Sequence, residues 1–182
     1  MAGTPGLLPE SQVYLHARIE SERTVSYKMY NEHITICIAC SPGGHLVQAQ
    51  RLMSLYTRYE HFYLTFESPV VENLRATERV RTVPNLQRHD PVSWIRSALA
   101  SFRVAWQERP DVVICTGAGV TVFVCVFCKL LGARLVFIES LAKIERPTTT
   151  ARLLYPLADL FIVQWPRLLS FFPKAKCYGR CI

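Results

Sequence analysis

Two glycine-containing turns carry the residues of this sequence that are best suited to chemistry. The first is Gly43-Gly44-His45, within ACSPGGHLVQAQ, and the second is TGAG, which contains Gly117 and Gly119. Glycine permits positive φ and lets a ligand approach the backbone, and the free amides at a helix start favour an anion such as phosphate. We therefore predict that these glycines line a diphosphate-binding cleft.

His45 and Glu139 are the two candidates for a general base. Histidine is the side chain best suited to proton transfer near neutral pH, so His45 could act as a base or donate to a phosphate, and a helix-capping or packing role is the alternative. Glu139 and the following Ser140 end an apolar run, where the carboxylate could hold a sugar hydroxyl or accept a proton. An ion pair with Lys143 or Arg146, or a helix cap, is the competing interpretation for Glu139.

A regular alternation of strand and helix from Ile34 onward positions these residues. ITICIAC is apolar or small throughout, as in a strand buried on both faces, and an apolar stripe then predicts a helix that begins near His45. Further strands are predicted in HFYLTF, around residues 80–83, and in ERPDVVICTG, ARLVFIES and DLFIVQ. This order predicts an α/β, Rossmann-like, doubly wound parallel sheet, with both glycine turns at the carboxyl ends of strands.

A helix predicted from about Val92 to Glu108 has two interpretations. Its apolar stripe recurs at helical spacing, which favours packing against the core. It is also basic and aromatic, as expected of a helix that lies at a membrane interface. The stripe consists of Ile95, Leu99, Phe102 and Trp106.

Length and composition limit the possible classes of protein. The 182 residues suffice for one ordinary domain, which we place at residues 34–182, after an extension of unknown role at residues 1–33. The formal net charge is 21 − 14 = +7, which favours anionic surfaces. No nucleic-acid-binding motif is present, so nucleic acid is not expected as a partner.

The seven cysteines fall mostly inside apolar runs, which favours small buried hydrophobic side chains in a reducing compartment. Cys125 and Cys128 form a CxxC, but no second ligand pair follows at metal-site spacing. We expect no metal and no cofactor. The uncharged run 112–128 is interpreted as strand, glycine turn and helix, with a membrane span as the alternative.

Four segments and their spacing together resemble one family. The segments ACSPGGH, RPDVVICTGAGV, FIESLAKIERP and LLYPLADLFIVQWP are similar to polysaccharide-biosynthesis glycosyltransferase subunits of PssD type. These subunits are related to the membrane-anchoring subunit of the eukaryotic asparagine-linked glycosylation UDP-N-acetylglucosamine transferase. A more distant similarity is to the N-terminal half of the bacterial transferase that modifies a lipid-linked peptidoglycan precursor.

The resemblance implies the single N-terminal-type half of a split GT-B glycosyltransferase. The chain would bind a polyprenyl-diphosphate-linked saccharide, and a donor-binding glycosyltransferase subunit would supply the UDP-sugar. The product would be an exopolysaccharide, a capsule or a lipid-linked oligosaccharide. By carry-over, the acceptor diphosphate would contact Gly43, Gly44 and His45, the second turn of the cleft would be Gly117 and Gly119, and its floor would be Glu139 and Ser140.

The chain departs from this pattern at its N-terminal segment, which affects its expected location, and at Pro42. The eukaryotic relatives begin with a membrane-spanning helix, whereas residues 1–33 are polar. We therefore expect peripheral attachment to the cytoplasmic face of a membrane, directly or through the partner. Pro42 stiffens the loop before the glycines. Two other functions stay open: a non-catalytic scaffold that recruits the donor-binding subunit, and a self-sufficient nucleotide-sugar-binding enzyme.

Overall fold

A computed structural model describes residues 34–87 and 89–179. The predicted extension at residues 1–33 lies outside the described residues, so the domain boundary at residue 34 stays a prediction.

The described residues contain seven strands. They are β1 Thr35–Ala39, β2 Glu60–Thr65, β3 Val80–Thr82, β4 Val112–Cys115, β5 Arg134–Ile138, β6 Leu160–Val163 and β7 Lys176–Cys177. All neighbours pair in parallel, in the order β3-β2-β1-β4-β5-β6-β7. The predicted Rossmann-like parallel sheet is confirmed. Strand β7 was not predicted, because two residues are too few to show an apolar pattern.

Helices connect the consecutive strands from β1 to β6 on both faces of the sheet, and a 3-10 segment, Pro166–Ser170, lies between β6 and β7. The helices are α1 Gly44–Arg51, α2 Met53–Tyr56, α3 Pro69–Arg75, α4 Pro91–Glu108, α5 Val122–Leu130 and α6 Thr149–Leu154. Helix α3 was missed, although Ser68 followed by Pro69 is a typical helix start. The run 112–128 divides into β4, a 3-10 turn at Gly119–Thr121 and α5, as predicted. Within the described ranges, no helix is both long enough and apolar enough to cross a membrane.

The core lies on both faces of the sheet. Successive side chains of a strand point to opposite faces, so Ile36 and Ile38 of β1 enter one apolar cluster while Cys37 and Ala39 enter the other. All four residues are buried. A strand covered on both faces must be apolar at every position, which explains why ITICIAC lacks polar alternation.

Five cysteines belong to this core, as the sequence predicted. They are Cys37, Cys40, Cys115, Cys125 and Cys128. Burial raises the pKa of Cys40 and of Cys128 to about 12. These two thiols therefore stay neutral near pH 7 and behave as small apolar side chains.

The face of helix α4 that packs against the core is the opposite of the one predicted. Its buried residues are small and recur every four positions: Ser93, Ser97, Ser101 and Ala105. The predicted apolar stripe is exposed instead, with relative exposures of 60% for Ile95, 65% for Leu99, 45% for Phe102 and 52% for Trp106.

Core packing was therefore the wrong interpretation of this stripe. At 100° per residue, the small stripe and the apolar stripe lie on opposite sides of α4. Helix α4 packs against α5, and small side chains let two helices approach more closely than a row of large ones would. The large apolar side chains are left on the surface.

Candidate functional site

Both glycine turns lie at the point where the strand order reverses. Strand β1 is flanked by β2 on one side and by β4 on the other. The turn Gly43-Gly44-His45 follows β1, and the turn that begins at Gly117 follows β4. In open parallel sheets, the helices on the two sides of such a switch point diverge and leave a crevice where ligands bind.

His45 joins the two turns. Its Nδ1 lies 2.6 Å from the backbone carbonyl oxygen of Thr116, and the Thr116 hydroxyl donates a hydrogen bond of 3.0 Å to the His45 carbonyl oxygen. A carbonyl only accepts, so Nδ1 carries a proton. In the neutral ring Nε2 then has a free lone pair, as a general base requires.

The second turn has a backbone shape that depends on glycine. Gly117 has φ of +113°, and a Cβ atom at this position would lie 2.8 Å from Cε1 of His45. Ala118 also has a positive φ, +84°, a conformation that costs a non-glycine residue about 1–3 kcal/mol. The Thr121 hydroxyl donates a 2.7 Å hydrogen bond to the Ala118 carbonyl and holds the turn. His45 therefore packs directly over a strained turn.

The first turn is open to solvent. Gly43 has φ of +90°, whereas Gly44 has an ordinary backbone conformation and begins α1. Both are exposed, and a Cβ atom at either position would meet nothing within 4 Å. The first amides of α1 have no intrahelical acceptor, so they are available to an anion in this space.

Glu139 is fully buried at the end of β5, with 0% exposure. Its Oε1 accepts a 2.8 Å hydrogen bond from the Ser140 amide, and its Oε2 accepts a 3.1 Å bond from the Thr148 amide. The Thr148 hydroxyl lies 3.2 and 3.1 Å from the two oxygens. Within the described residues the carboxylate makes no ion pair with Lys143 or Arg146, which removes that alternative. It ties the two ends of the loop 140–148 together.

Sequence reasoning missed two threonines that organise this edge. Thr148 caps α6 by accepting a hydrogen bond from the Ala151 amide, and it also contacts Glu139. A threonine just before a helix is a recognisable capping signal. Thr116 had no such local signal, because its partner His45 is 71 residues away along the chain.

Five aromatic rings form a continuous row on the surface of α4 and α5. Successive ring centroids lie 6.3 Å apart from Trp94 to Phe123, 6.5 Å to Phe127, 5.4 Å to Phe102 and 6.1 Å to Trp106. We call these residues the aromatic row. Trp94, Phe102 and Trp106 are exposed and the two phenylalanines of α5 are half-buried. A contiguous apolar surface of this kind marks an interaction site.

Arginines border the aromatic row. The guanidinium of Arg109 lies 4.5 Å from the centre of the Trp106 ring, and Arg96 and Arg103 are exposed on α4. At 100° per residue, Arg96 and Arg103 flank the apolar stripe on one side.

Within the described residues, no three His, Cys, Asp or Glu side chains converge as metal ligands would.

Solved structures share this fold. MurG of Acinetobacter baumannii superposes with a TM-score of 0.62 at 15% identity, over 74% of this chain and 42% of that one. A UDP-GlcNAc 2-epimerase of Methanocaldococcus jannaschii superposes with a TM-score of 0.61 at 11% identity, over 81% of this chain and 46% of that one. The chain thus spans less than half of each of these proteins, and at such identities the likeness concerns the fold alone.

The sequence itself is similar to one group of proteins. The human UDP-N-acetylglucosamine transferase subunit ALG14 is 28% identical over 83% of this chain and 84% of its own length. The Kluyveromyces lactis protein of the same name is 38% identical over 47% of this chain. Residues 60–181 match the family described as "Oligosaccharide biosynthesis protein Alg14 like". Because this match covers well over half of the chain, the protein belongs to the Alg14-like family.

Proposed function

We propose that this chain is the acceptor-side subunit of a UDP-N-acetylglucosamine transferase. The similar proteins are named as subunits of that enzyme, which supports a heteromer with a donor-binding partner. The acceptor would be a polyprenyl-diphosphate-linked saccharide, and UDP-N-acetylglucosamine would be held by the partner. The family description favours a role in oligosaccharide synthesis. A role in exopolysaccharide or capsule synthesis, as expected of a PssD-type subunit, is a more specific prediction.

The observation that carries the proposal is the hydrogen bond between His45 and Thr116. It connects two glycine turns at the switch point and leaves Nε2 of His45 without a partner among the described residues. The exposed turn at Gly43 and Gly44 offers space and amides for a diphosphate. In the proposed reaction, Nε2 takes the proton of the acceptor hydroxyl while that oxygen attacks the sugar C1 and UDP departs.

The aromatic row supports attachment to a membrane surface. Helices that lie in the interface combine exposed aromatic and aliphatic side chains with basic residues that meet anionic lipid. Helix α4 has this composition on its exposed side, and the net charge of +7 acts in the same direction. We infer peripheral attachment at the cytoplasmic face, where the lipid-linked acceptor would be met.

Glu139 is better suited to a positioning role than to proton transfer. Both of its oxygens already accept hydrogen bonds from Ser140 and Thr148, and the side chain is inaccessible to solvent. This observation also favours the second candidate function, a non-catalytic scaffold that only recruits the donor-binding subunit. In that case His45 would be dispensable too.

The test is transfer from radiolabelled UDP-N-acetylglucosamine to a polyprenyl-diphosphate-linked acceptor. The chain is assayed alone and together with a co-expressed donor-binding candidate. Activity that needs both chains and is lost with His45→Ala supports the proposal. Activity that needs both chains but survives His45→Ala supports the scaffold. Activity from this chain alone, with tight UDP-sugar binding, would establish a self-sufficient enzyme.

A further inference from the structure

An apolar groove opens beside the second glycine turn. Its volume is about 450 Å³, which lies within the range of pockets that take small organic ligands. Gly119 lies on its wall, and the apolar side chains that line it come from separate segments of the chain. They include Leu86 from the loop after β3, Trp94 from α4, Phe123 from α5 and Leu153 from α6.

Trp94 is a fixed part of this groove. Its indole Nε1 donates a 3.0 Å hydrogen bond to the Gln87 carbonyl, and its ring meets Phe123 edge to face. These two contacts hold the Trp94 side of the groove in place without a ligand. Trp94 is also the first ring of the aromatic row. The groove therefore extends from the glycine turn to the apolar surface of α4 and α5.

We propose that this groove binds the first isoprene units of the acceptor lipid, an inference that rests on the proposed function. A polyprenyl diphosphate joins an anion directly to a branched hydrocarbon. The parts of the site follow one another in the same sequence. The glycine turns are suited to an anion, the apolar groove begins at Gly119, and the aromatic row comes after the groove. The rest of the lipid chain would pass along the row into the bilayer.

The continuity of the groove with the turn identifies this occupant. The Gly119 backbone is bare on the groove side, where an added Cβ would meet only Leu86 at 3.9 Å. A ligand can therefore contact the turn and the groove at once. The groove lining is almost wholly apolar, apart from Thr149 and Thr150 on one wall. A saccharide would leave its hydroxyls without partners there, whereas a hydrocarbon needs none.

The test uses acceptors that share one saccharide-diphosphate head and carry one, two or four isoprene units. In the two-chain enzyme, KM should fall as the first units are added. Leu153→Trp fills the groove from an exposed position at its rim. This variant should raise KM for the four-unit acceptor about tenfold or more, and should raise it by much less for the one-unit acceptor, which fills only a small part of the groove. Leu130→Trp, exposed on α5 away from the groove lining, is the matched control.

A second measurement does not depend on catalysis. A prenyl diphosphate with a photoreactive tail is crosslinked to the two-chain complex, and the labelled peptides are mapped. Label on Leu86, Phe123 or Leu153 supports the groove, even if no acceptor is glycosylated and the proposed function fails. Label elsewhere, a partner segment crosslinked in the groove, or equal tail-length dependence in Leu153→Trp and the wild type would overturn the assignment.

Discussion

His45 and Thr116 exchange two hydrogen bonds across the switch point of the sheet, one from each residue to the other's backbone carbonyl. The bond from the ring fixes the tautomer and directs Nε2 away from Thr116. The bond from the threonine hydroxyl ties the start of α1 to the end of β4. One pair of residues thus sets both the chemistry of the histidine and the spacing of the two glycine turns.

Two substitutions of His45 distinguish a general base from a side chain that only donates a hydrogen bond to phosphate. His45→Asn places an amide near Nδ1 and can keep the bond to Thr116, but it has no group at Nε2. His45→Gln places an amide near Nε2 and can still donate to an oxygen. If Nε2 is the base, both variants should lose about 10²–10⁴-fold in kcat.

The measurement is steady-state transfer by the two-chain enzyme, with Tm as the control for folding. Substantial activity in His45→Gln but not in His45→Asn would show that Nε2 donates a hydrogen bond and does not accept the proton. Wild-type activity in both variants would remove His45 from the mechanism.

The two glycine turns should respond differently to substitution. Gly44→Leu should fold normally, because Gly44 has an ordinary φ and open space around its Cα, yet transfer should be abolished as the side chain occupies the diphosphate position. Gly117→Ala should lower stability by about 1–3 kcal/mol, since φ is +113° and the new Cβ would meet His45. Thermal unfolding and acceptor binding are measured for both. Normal turnover in Gly44→Leu would contradict the diphosphate site.

Glu139→Gln should act mainly on the loop 140–148. The substitution replaces one accepting oxygen by an amide that cannot accept from Ser140 or Thr148. The free energy of unfolding should fall by about 1.5–3 kcal/mol, as for the loss of hydrogen bonds to a charged group. Thermal unfolding and limited proteolysis of the loop measure this loss of stability. The matched control is Glu145→Gln, on the exposed part of the same loop. Unchanged stability with kcat reduced more than 10²-fold would instead restore Glu139 as a base.

The reversed faces of α4 can be tested with two neighbouring positions. Ser97→Leu should destabilise the fold by about 1–3 kcal/mol, because Ser97 is completely buried and a larger side chain overpacks the site. Leu99→Ser should leave Tm nearly unchanged but weaken binding to vesicles that contain anionic lipid. Vesicle cosedimentation is the measurement, with the exposed Gln107→Ser as control. Equal vesicle binding by Leu99→Ser and the wild type would argue against this membrane surface.

Asp159 gives the fold a pH dependence in the acid range. Hydrogen bonds from Lys129, together with one from the Leu135 amide, hold the pKa of Asp159 below its usual value. A lowered folded-state pKa stabilises the fold above the unfolded pKa of about 3.9, and this contribution is lost as pH falls through the folded value.

Asp159→Asn should therefore lower Tm at pH 7, and its difference from the wild type should vanish as pH falls through the lowered folded-state pKa of Asp159. Thermal unfolding from pH 2 to 8 measures the difference. Glu72→Gln, which removes an exposed ion pair with Arg75, should have little effect at any pH. A Tm difference that is constant with pH would mean that the carboxylate charge is not responsible.

The sequence by itself determined the order and type of the main elements and the edge on which the glycine turns lie. Apolar runs such as ITICIAC and VVIC predict strands that are buried on both faces. Parallel strands joined by helices must place the turns that follow them on one edge of the sheet. Gly43 and Gly117 were recognisable for the same reason, because each follows a strand and only glycine readily adopts their positive φ.

The tertiary structure alone decided which side chains these elements bring together. The bond from His45 to Thr116 joins residues 71 positions apart, and no local pattern encodes such a pair. In α4, both stripes repeat at helical spacing, and packing against the rest of the fold, α5 included, buried the small one. Periodicity defines the faces of a helix, but the neighbour against which it packs determines which face is buried.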